Sequence, residues 1–312
     1  MNAILAKPRG FCAGVERAIR IVELALEQYG APVFVRKEIV HNSHVVRRLR
    51  AAGAEFVEEL DEVPPGAVTI LSAHGSPPDV YEQARARRLR LIDATCPLVT
   101  KVHKEVHRYA RDGYVVILIG HAGHDEVVGT MGQAPQSTFL IERPQDVGRL
   151  ELSPGQKGVI LTQTTLSQDD AREIVDALLA GYPQLELPPS EDICYATQNR
   201  QNAIKQISAE IDLLLVVGSQ NSSNSLRLVE VARSRGTRAH LIDGADDIDT
   251  AWFDGVTTVG VSSGASAPEA VVQAVLARLS DLGITETREI DAPDEGVAFR
   301  LPVFESPAAV HE

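Results

Sequence analysis

The chain has 312 residues, 43 acidic against 30 basic side chains, and a formal charge of −13. That balance argues against nucleic acid or an anionic membrane surface as the main partner, and no apolar run reaches the roughly 20 residues a membrane-spanning helix needs. With 44% hydrophobic residues and only three cysteines, the sequence reads as a globular cytoplasmic protein of two or three domains without a disulfide framework.

Residues 3–6 predict a short strand, followed by an amphipathic helix whose apolar positions Val15, Ala18, Ile19, Val22 and Leu26 recur at steps of three and four. The same sequence of apolar strand, polar turn and helix returns along the chain. Residues 67–71 run into SAHG (72–75), 115–119 into GHAGH (120–124), and 159–161 into TQTT (162–165). Residues 213–217 run into GSQNSS (218–223), and 258–261 into SSGAS (262–266). Continuous apolar strands alternating with helices predict an α/β protein of small, mostly parallel sheets covered on both faces. Such sheets bind ligands beyond the carboxyl ends of their strands, where the histidines and small polar residues gather here. After residue 285 the composition turns acidic and proline-bearing. Val297, Phe299, Leu301 and Val303 alternate with other residues there, which predicts an added strand or an extended wrap over the body, with a disordered end.

Cys12, Cys96 and Cys194 stand 84 and 98 residues apart, and each opens a helix after an extended segment. This spacing predicts three similar units, 1–95, 96–193 and 194–284, with 285–312 as a tail packing on the body. Singly, each cysteine reads as a small buried hydrophobe. Together, thiols at three helix N-termini, where amides and the dipole favour thiolates, suit a metal centre at a pseudo-threefold axis. Thiolates select zinc, copper(I) or iron–sulfur clusters, and the close cysteine pairs of a structural zinc site are missing. A cubane cluster on three cysteines leaves one iron open to a substrate oxygen.

His74 and His124 directly follow apolar strands, in ligand-binding positions. His103 and His107, four apart on one helix, lack the adjacent base of a zinc-hydrolase motif and read as a solvated or packing pair. Glu126, two residues after His124, is placed as a proton donor to such a centre or as a first-turn helix acid. The run 221–225, NSSNS, offers an N-cap residue at every position; with Ser266 it reads either as a phosphate site or as a serine-rich turn with one true cap. No Walker A or dinucleotide fingerprint exists in the chain. A zinc hydrolase and a phosphate-ester sensor with oxidisable cysteines are the rival readings of these residues.

The ordered set PRGFCAGV, VHN (40–42), SAHG, DATCPLVTKVH, GHAGH with Glu126 and GTMGQ, TQTTLS, ICYAT with NRQ, GSQNSSNS and SGASAP resembles the 4-hydroxy-3-methylbut-2-enyl diphosphate reductases. These are the last enzymes of the methylerythritol phosphate route to isoprenoid precursors. The resemblance runs from residue 1 to about 280. It implies a [4Fe-4S] cluster on Cys12, Cys96 and Cys194 at the centre of three units, with one open iron for the substrate hydroxyl. It implies that His41, His74 and His124 contact an allylic diphosphate and that Ser222, Ser223, Asn224 and Ser266 complete that pocket. Glu126 would supply the proton and Thr164 would position the reacting hydroxyl, with electrons from a ferredoxin- or flavodoxin-type donor. Asp125, Pro77 and Gln220 depart from the family pattern, which commonly has proline, another small residue and lysine at these places.

Overall fold

The computed structural model describes residues 1–153 and 155–304. In chain order the elements are β1 (Asn2–Leu5), α1 (Ala13–Tyr29), β2 (Val33–Arg36), α2 (Ser43–Ala51), β3 (Ala54–Val57), β4 (Val68–Leu71), α3 (Pro78–Ala86) and β5 (Arg90–Asp93). Then come α4 (Pro97–Arg111), β6 (Val115–Ile119), α5 (Asp125–Met131), β7 (Thr138–Ile141), β8 (Gly158–Thr162), α6 (Gln168–Gly181) and β9 (Leu185–Glu186). The chain continues with α7 (Tyr195–Ile207), β10 (Leu213–Val217), α8 (Ser223–Ser234), β11 (Arg238–Ile242), β12 (Thr258–Ser263), α9 (Glu269–Asp281) and β13 (Glu286–Glu289).

Two compact units are formed. The first comprises Met1–Glu16, His41–Arg48 and Tyr195–Ala298. It holds one five-stranded sheet in the order β11-β10-β12-β1-β13, parallel throughout. The second comprises Arg17–Val40, Leu49–Cys194 and the stretch from Phe299, and holds two four-stranded parallel sheets, β3-β2-β4-β5 and β7-β6-β8-β9. The fold is therefore α/β with three small parallel sheets.

Period-two alternation explains why the strands read as unbroken apolar runs. Along β10, Leu213, Leu215 and Val217 enter one core with α9, whereas Leu214 and Val216 enter another with α7 and α8. Along β6, Val115, Ile117 and Ile119 pack with α6 residues, and Val116 and Leu118 pack with Val102 and Val106 of α4. Each central strand is thus buried on both faces, and polar chemistry is expelled to the strand ends.

β1 lies between β12 and β13, outside the four-stranded sheet formed by the rest of 1–95. The tail strand is Glu286–Glu289, ten residues earlier than the alternating stretch, and 296–303 carries no regular secondary structure. β1 supplies a strand edge to 286–289 instead. The end of the tail, read above as disordered, lies outside the described residues. Among the described residues no helix is long and apolar enough to cross a membrane.

Candidate active site

In the second unit the loops after β4, β5, β6, β8 and β9 bring six of the predicted residues into short-range order. Glu126 is 3% exposed, and both of its carboxylate oxygens are claimed by one residue. The Thr164 amide donates to Oε1 at 2.6 Å and the Thr164 hydroxyl to Oε2 at 2.9 Å. The Thr164 carbonyl in turn accepts the Cys194 amide at 3.0 Å. One threonine thereby fixes an acid and a thiol-bearing residue.

His124 is the N-cap of α5, its Nδ1 accepting the Glu126 amide at 3.2 Å. An Nδ1 that accepts leaves the ring proton on Nε2, which makes that nitrogen a donor. The His74 ring meets His124 edge to face with centroids 5.9 Å apart. Cys96 caps α4 and donates its amide to the Ala73 carbonyl at 2.9 Å, beside His74. Arg17 of α1 braces the same loop, its Nη1 donating to the carbonyls of Ala94 and Thr95 at 3.2 and 3.1 Å.

His103 and His107 do not behave alike. His107 is exposed and bonds Gln133 at 2.8 Å, while His103 is buried against Gly75. Gly75 has φ +82, and a Cβ there would stand 2.6 Å from His103 Cε1. Burial holds the His103 ring neutral, its pKa pushed down to about 4. The pair is therefore half packing and half solvated, and His103 buttresses the His74 loop.

Three residues of this neighbourhood escaped sequence reasoning. Gln163 is buried; its Oε1 accepts the His121 amide at 3.1 Å and its Nε2 donates to Thr165 Oγ1 at 2.8 Å. Lys101 of α4 donates to Asp192 Oδ1 at 2.8 Å and to the carbonyls of Ser190 and Glu191 at 3.0 Å. Asp192 Oδ2 accepts the Thr162 amide at 3.0 Å, so α4, the end of β8 and the segment before Cys194 are clamped together. Nearby Glu105 sits above the usual carboxylate range because of burial and the adjacent Asp192 charge.

The first unit assembles the other predicted residues. The Cys12 amide donates to the Ala265 carbonyl at 3.1 Å, and Cys12 begins the first turn of α1 by accepting Glu16 N at 2.9 Å. Burial pushes the Cys12 thiol up, while amide donors from Val15 and Gly14 and the Arg200 charge pull it down. Ser222 is the true cap of α8, its Oγ accepting from Ser225 N at 3.3 Å and Ser225 Oγ at 3.0 Å. Asn224 Oδ1 accepts the Ala265 amide at 2.9 Å, and its Nδ2 donates to Thr197 at 3.3 Å. The Ser266 hydroxyl donates to the His41 carbonyl at 2.9 Å, so in this structure it anchors the His41 loop. Ser223 is the first residue of α8, partly exposed beside that cap.

The crowding of these loops depends on glycine. A Cβ at Gly264 or Gly218 would fall 2.0 or 2.2 Å from Ser225 Oγ. All three cysteines are free thiols, and each stands beside a helix N-terminus.

The sequence matches the family described as LytB protein over residues 3–280. It is 58% identical over 302 residues to a 4-hydroxy-3-methylbut-2-enyl diphosphate reductase of Acidothermus cellulolyticus, covering 96% of this chain and 89% of that one. Identity to the protein of that name from Streptomyces coelicolor is 57%, with the same coverage. The fold superposes on the E-1-hydroxy-2-methyl-but-2-enyl-4-diphosphate reductase of Plasmodium falciparum with a TM-score of 0.92 and 40% identity, covering 98% and 95% of the two chains. On this sequence match, and with the fold and the ordered loops in agreement, the chain belongs to the LytB protein family.

Proposed function

We propose that this chain reduces (E)-4-hydroxy-3-methylbut-2-enyl diphosphate to isopentenyl and dimethylallyl diphosphates, taking up two electrons and two protons and releasing water. Family membership supports the reaction and implies an iron–sulfur group. The observation that carries the site assignment is the buried Glu126 held at both oxygens by Thr164, whose carbonyl also fixes Cys194.

We assign Cys12, Cys96 and Cys194 as ligands of a [4Fe-4S] cluster. The donor set fits: free thiols at helix starts, with amide donors directed at the Cys12 sulfur, suit thiolate ligation of iron. When bound, the cluster supplies the electrons and an open iron for the substrate hydroxyl; a ferredoxin- or flavodoxin-type protein is the donor we propose.

The remaining work belongs to the protein. Thr164 Oγ1 stands against Glu126 and, when the acid is protonated, would take its proton while passing its own hydroxyl proton to the leaving hydroxyl. Acid and hydroxyl are thereby linked through a single oxygen, a short path for the proton. His124 presents Nε2–H to the diphosphate, with His74 and His41 as further donors. Ser222 and Asn224 are already fixed by the α8 cap and the Ala265 amide, so their remaining donors are oriented before substrate arrives. Ser223 adds a hydroxyl at the helix N-terminus, where the dipole favours an anion. Ser266 exchanges the His41 carbonyl for a diphosphate oxygen.

Anaerobically purified protein should be brown and hold iron and sulfide. Cys96→Ser should lose them, and Glu126→Gln should retain cluster and substrate but lose turnover. Colourless protein with stoichiometric zinc would refute the cluster, and normal turnover in Glu126→Gln would remove that residue from its role.

A further inference from the structure

The largest fully buried side chain is a cation that the proposed reaction does not use. Arg200 of α7 has no exposed side-chain surface, and none of its partners is an ordinary helix-face acid. Its Nη2 donates to the Gly10 carbonyl at 2.7 Å, two residues before Cys12. Its Nη1 donates to the Ala196 carbonyl at 3.0 Å and pairs with Glu295 Oε1 at 3.0 Å. Its Nε is buried with no hydrogen-bond partner.

Glu295 lies in the irregular segment beyond β13. Its Oε1 also accepts Asn199 Nδ2 at 3.1 Å, and its side chain is only 14% exposed. A carboxylate delivered from a stretch without regular structure is thus enclosed by two consecutive residues of α7. Asp294, beside it, pairs instead with Lys7 while 90% exposed. Of these neighbouring acids, then, one is inserted and the other left at the surface.

A buried guanidinium costs stability unless it is paired, so Glu295 offsets the cost of enclosing the Arg200 charge beside the Cys12 loop. We propose that Arg200 is a positioning residue that fixes the Cys12 loop and sets the charge experienced by the iron–sulfur group, and that Glu295 is its counter-charge supplied by the C-terminal segment. The inference rests on the assignment of Cys12 as a cluster ligand.

Reduction adds negative charge to the cluster, and an uncompensated cation in a buried setting favours that state. Glu295→Gln in the full-length, anaerobically purified protein should therefore raise the midpoint potential in a dithionite titration followed by electron paramagnetic resonance. At a fixed poise the ratio of reduced to oxidised cluster should rise about tenfold, equivalent to about 59 mV for one electron. Arg200→Gln combined with Glu295→Gln removes both charges and should return the potential close to the parent value. Asp294→Asn, which removes the surface acid, should leave it unmoved.

If Glu295→Gln does not accumulate as folded protein, Glu295→Asp, which withdraws the carboxylate by one methylene, should shift the potential in the same direction by less. An unmoved or lowered potential in the Glu295 variants, or a double variant that keeps the single variant's shift, would overturn the proposal. Parent protein without iron and sulfide would instead remove the cluster assignment itself, and this inference with it.

Discussion

Thr164→Val replaces a hydroxyl by a methyl group of nearly the same volume while keeping the backbone amide that bonds Glu126 Oε1. What is lost is the 2.9 Å bond to Oε2, inside a site where Glu126 and Thr164 are 3% and 5% exposed. No water replaces that donor easily, so the cost is that of a buried hydrogen bond to a charged group, about 1.5–3 kcal/mol. For a chain of this size each kcal/mol moves the melting midpoint by roughly 1.5 °C, so a fall of about 2–5 °C is expected. Urea unfolding should show the same loss with an unchanged slope. Thr164→Ser keeps the hydroxyl and should recover most of it. Equal stabilities for the valine and serine variants would mean that Oε2 is satisfied by some other group, and the acid would no longer depend on Thr164 for its position.

The His103 ring is neutral in the folded protein with a pKa of about 4, against an ordinary value of 6.5. The unfolded chain therefore binds the extra proton first, and this residue's contribution is complete above pH 6.5 and is lost as the pH falls toward 4. About 2 kcal/mol should disappear between pH 7.5 and pH 5, measured as the difference in urea stability between the parent and His103→Gln. A slope common to both proteins would exclude His103 as the cause. Glu105 bends the curve the other way, because a carboxyl pKa raised to about 7 gives stability that is lost as the pH rises from about 4.5 to 7; Glu105→Gln should remove that fall. Gly75→Ala combines a φ of +82 with a contact of 2.6 Å to His103 and should cost about 2–4 kcal/mol, whereas an alanine within 1 kcal/mol of parent would show that the loop is not braced by His103. Gly264→Ala should be rescued largely by Ser225→Gly, since the clash is with that one hydroxyl; additive costs in a double-mutant cycle would refute the crowding.

Much of the fold was visible in the sequence because central strands such as β6 and β10 are covered on both faces, which demands continuous apolar runs and leaves only their ends for chemistry. The residues standing at those ends, from His74 to Ser266, were visible for the same reason. What escaped were long-range pairings carrying no periodic signature. The insertion of β1 between β12 and β13 depends on partners at the far end of the chain, and 286–289, the residues of β13, are almost wholly polar because an exposed edge strand needs no apolar face. Lys101 and Asp192 lie 91 residues apart with no motif in common, and only tertiary structure joins them. The excess of cap-forming residues around Ser222 was legible, but not which of them would be the cap. Ser266, expected to face a ligand, is held on the His41 carbonyl, because a hydroxyl buried without ligand takes the nearest acceptor.

The position of β1 also bears on how the protein is made. β1 takes its place between two strands that follow it by more than 250 residues, so the five-stranded sheet cannot close until Thr258–Ser263 and Glu286–Glu289 have left the ribosome. At ordinary synthesis rates the opening segment waits on the order of 10–50 s. Both four-stranded sheets draw only on strands between Val33 and Glu186, and each can complete its pairing during that interval. Until then Cys12 follows a strand whose two neighbours are missing, whereas the strands on either side of Cys96 in the chain already have all of theirs.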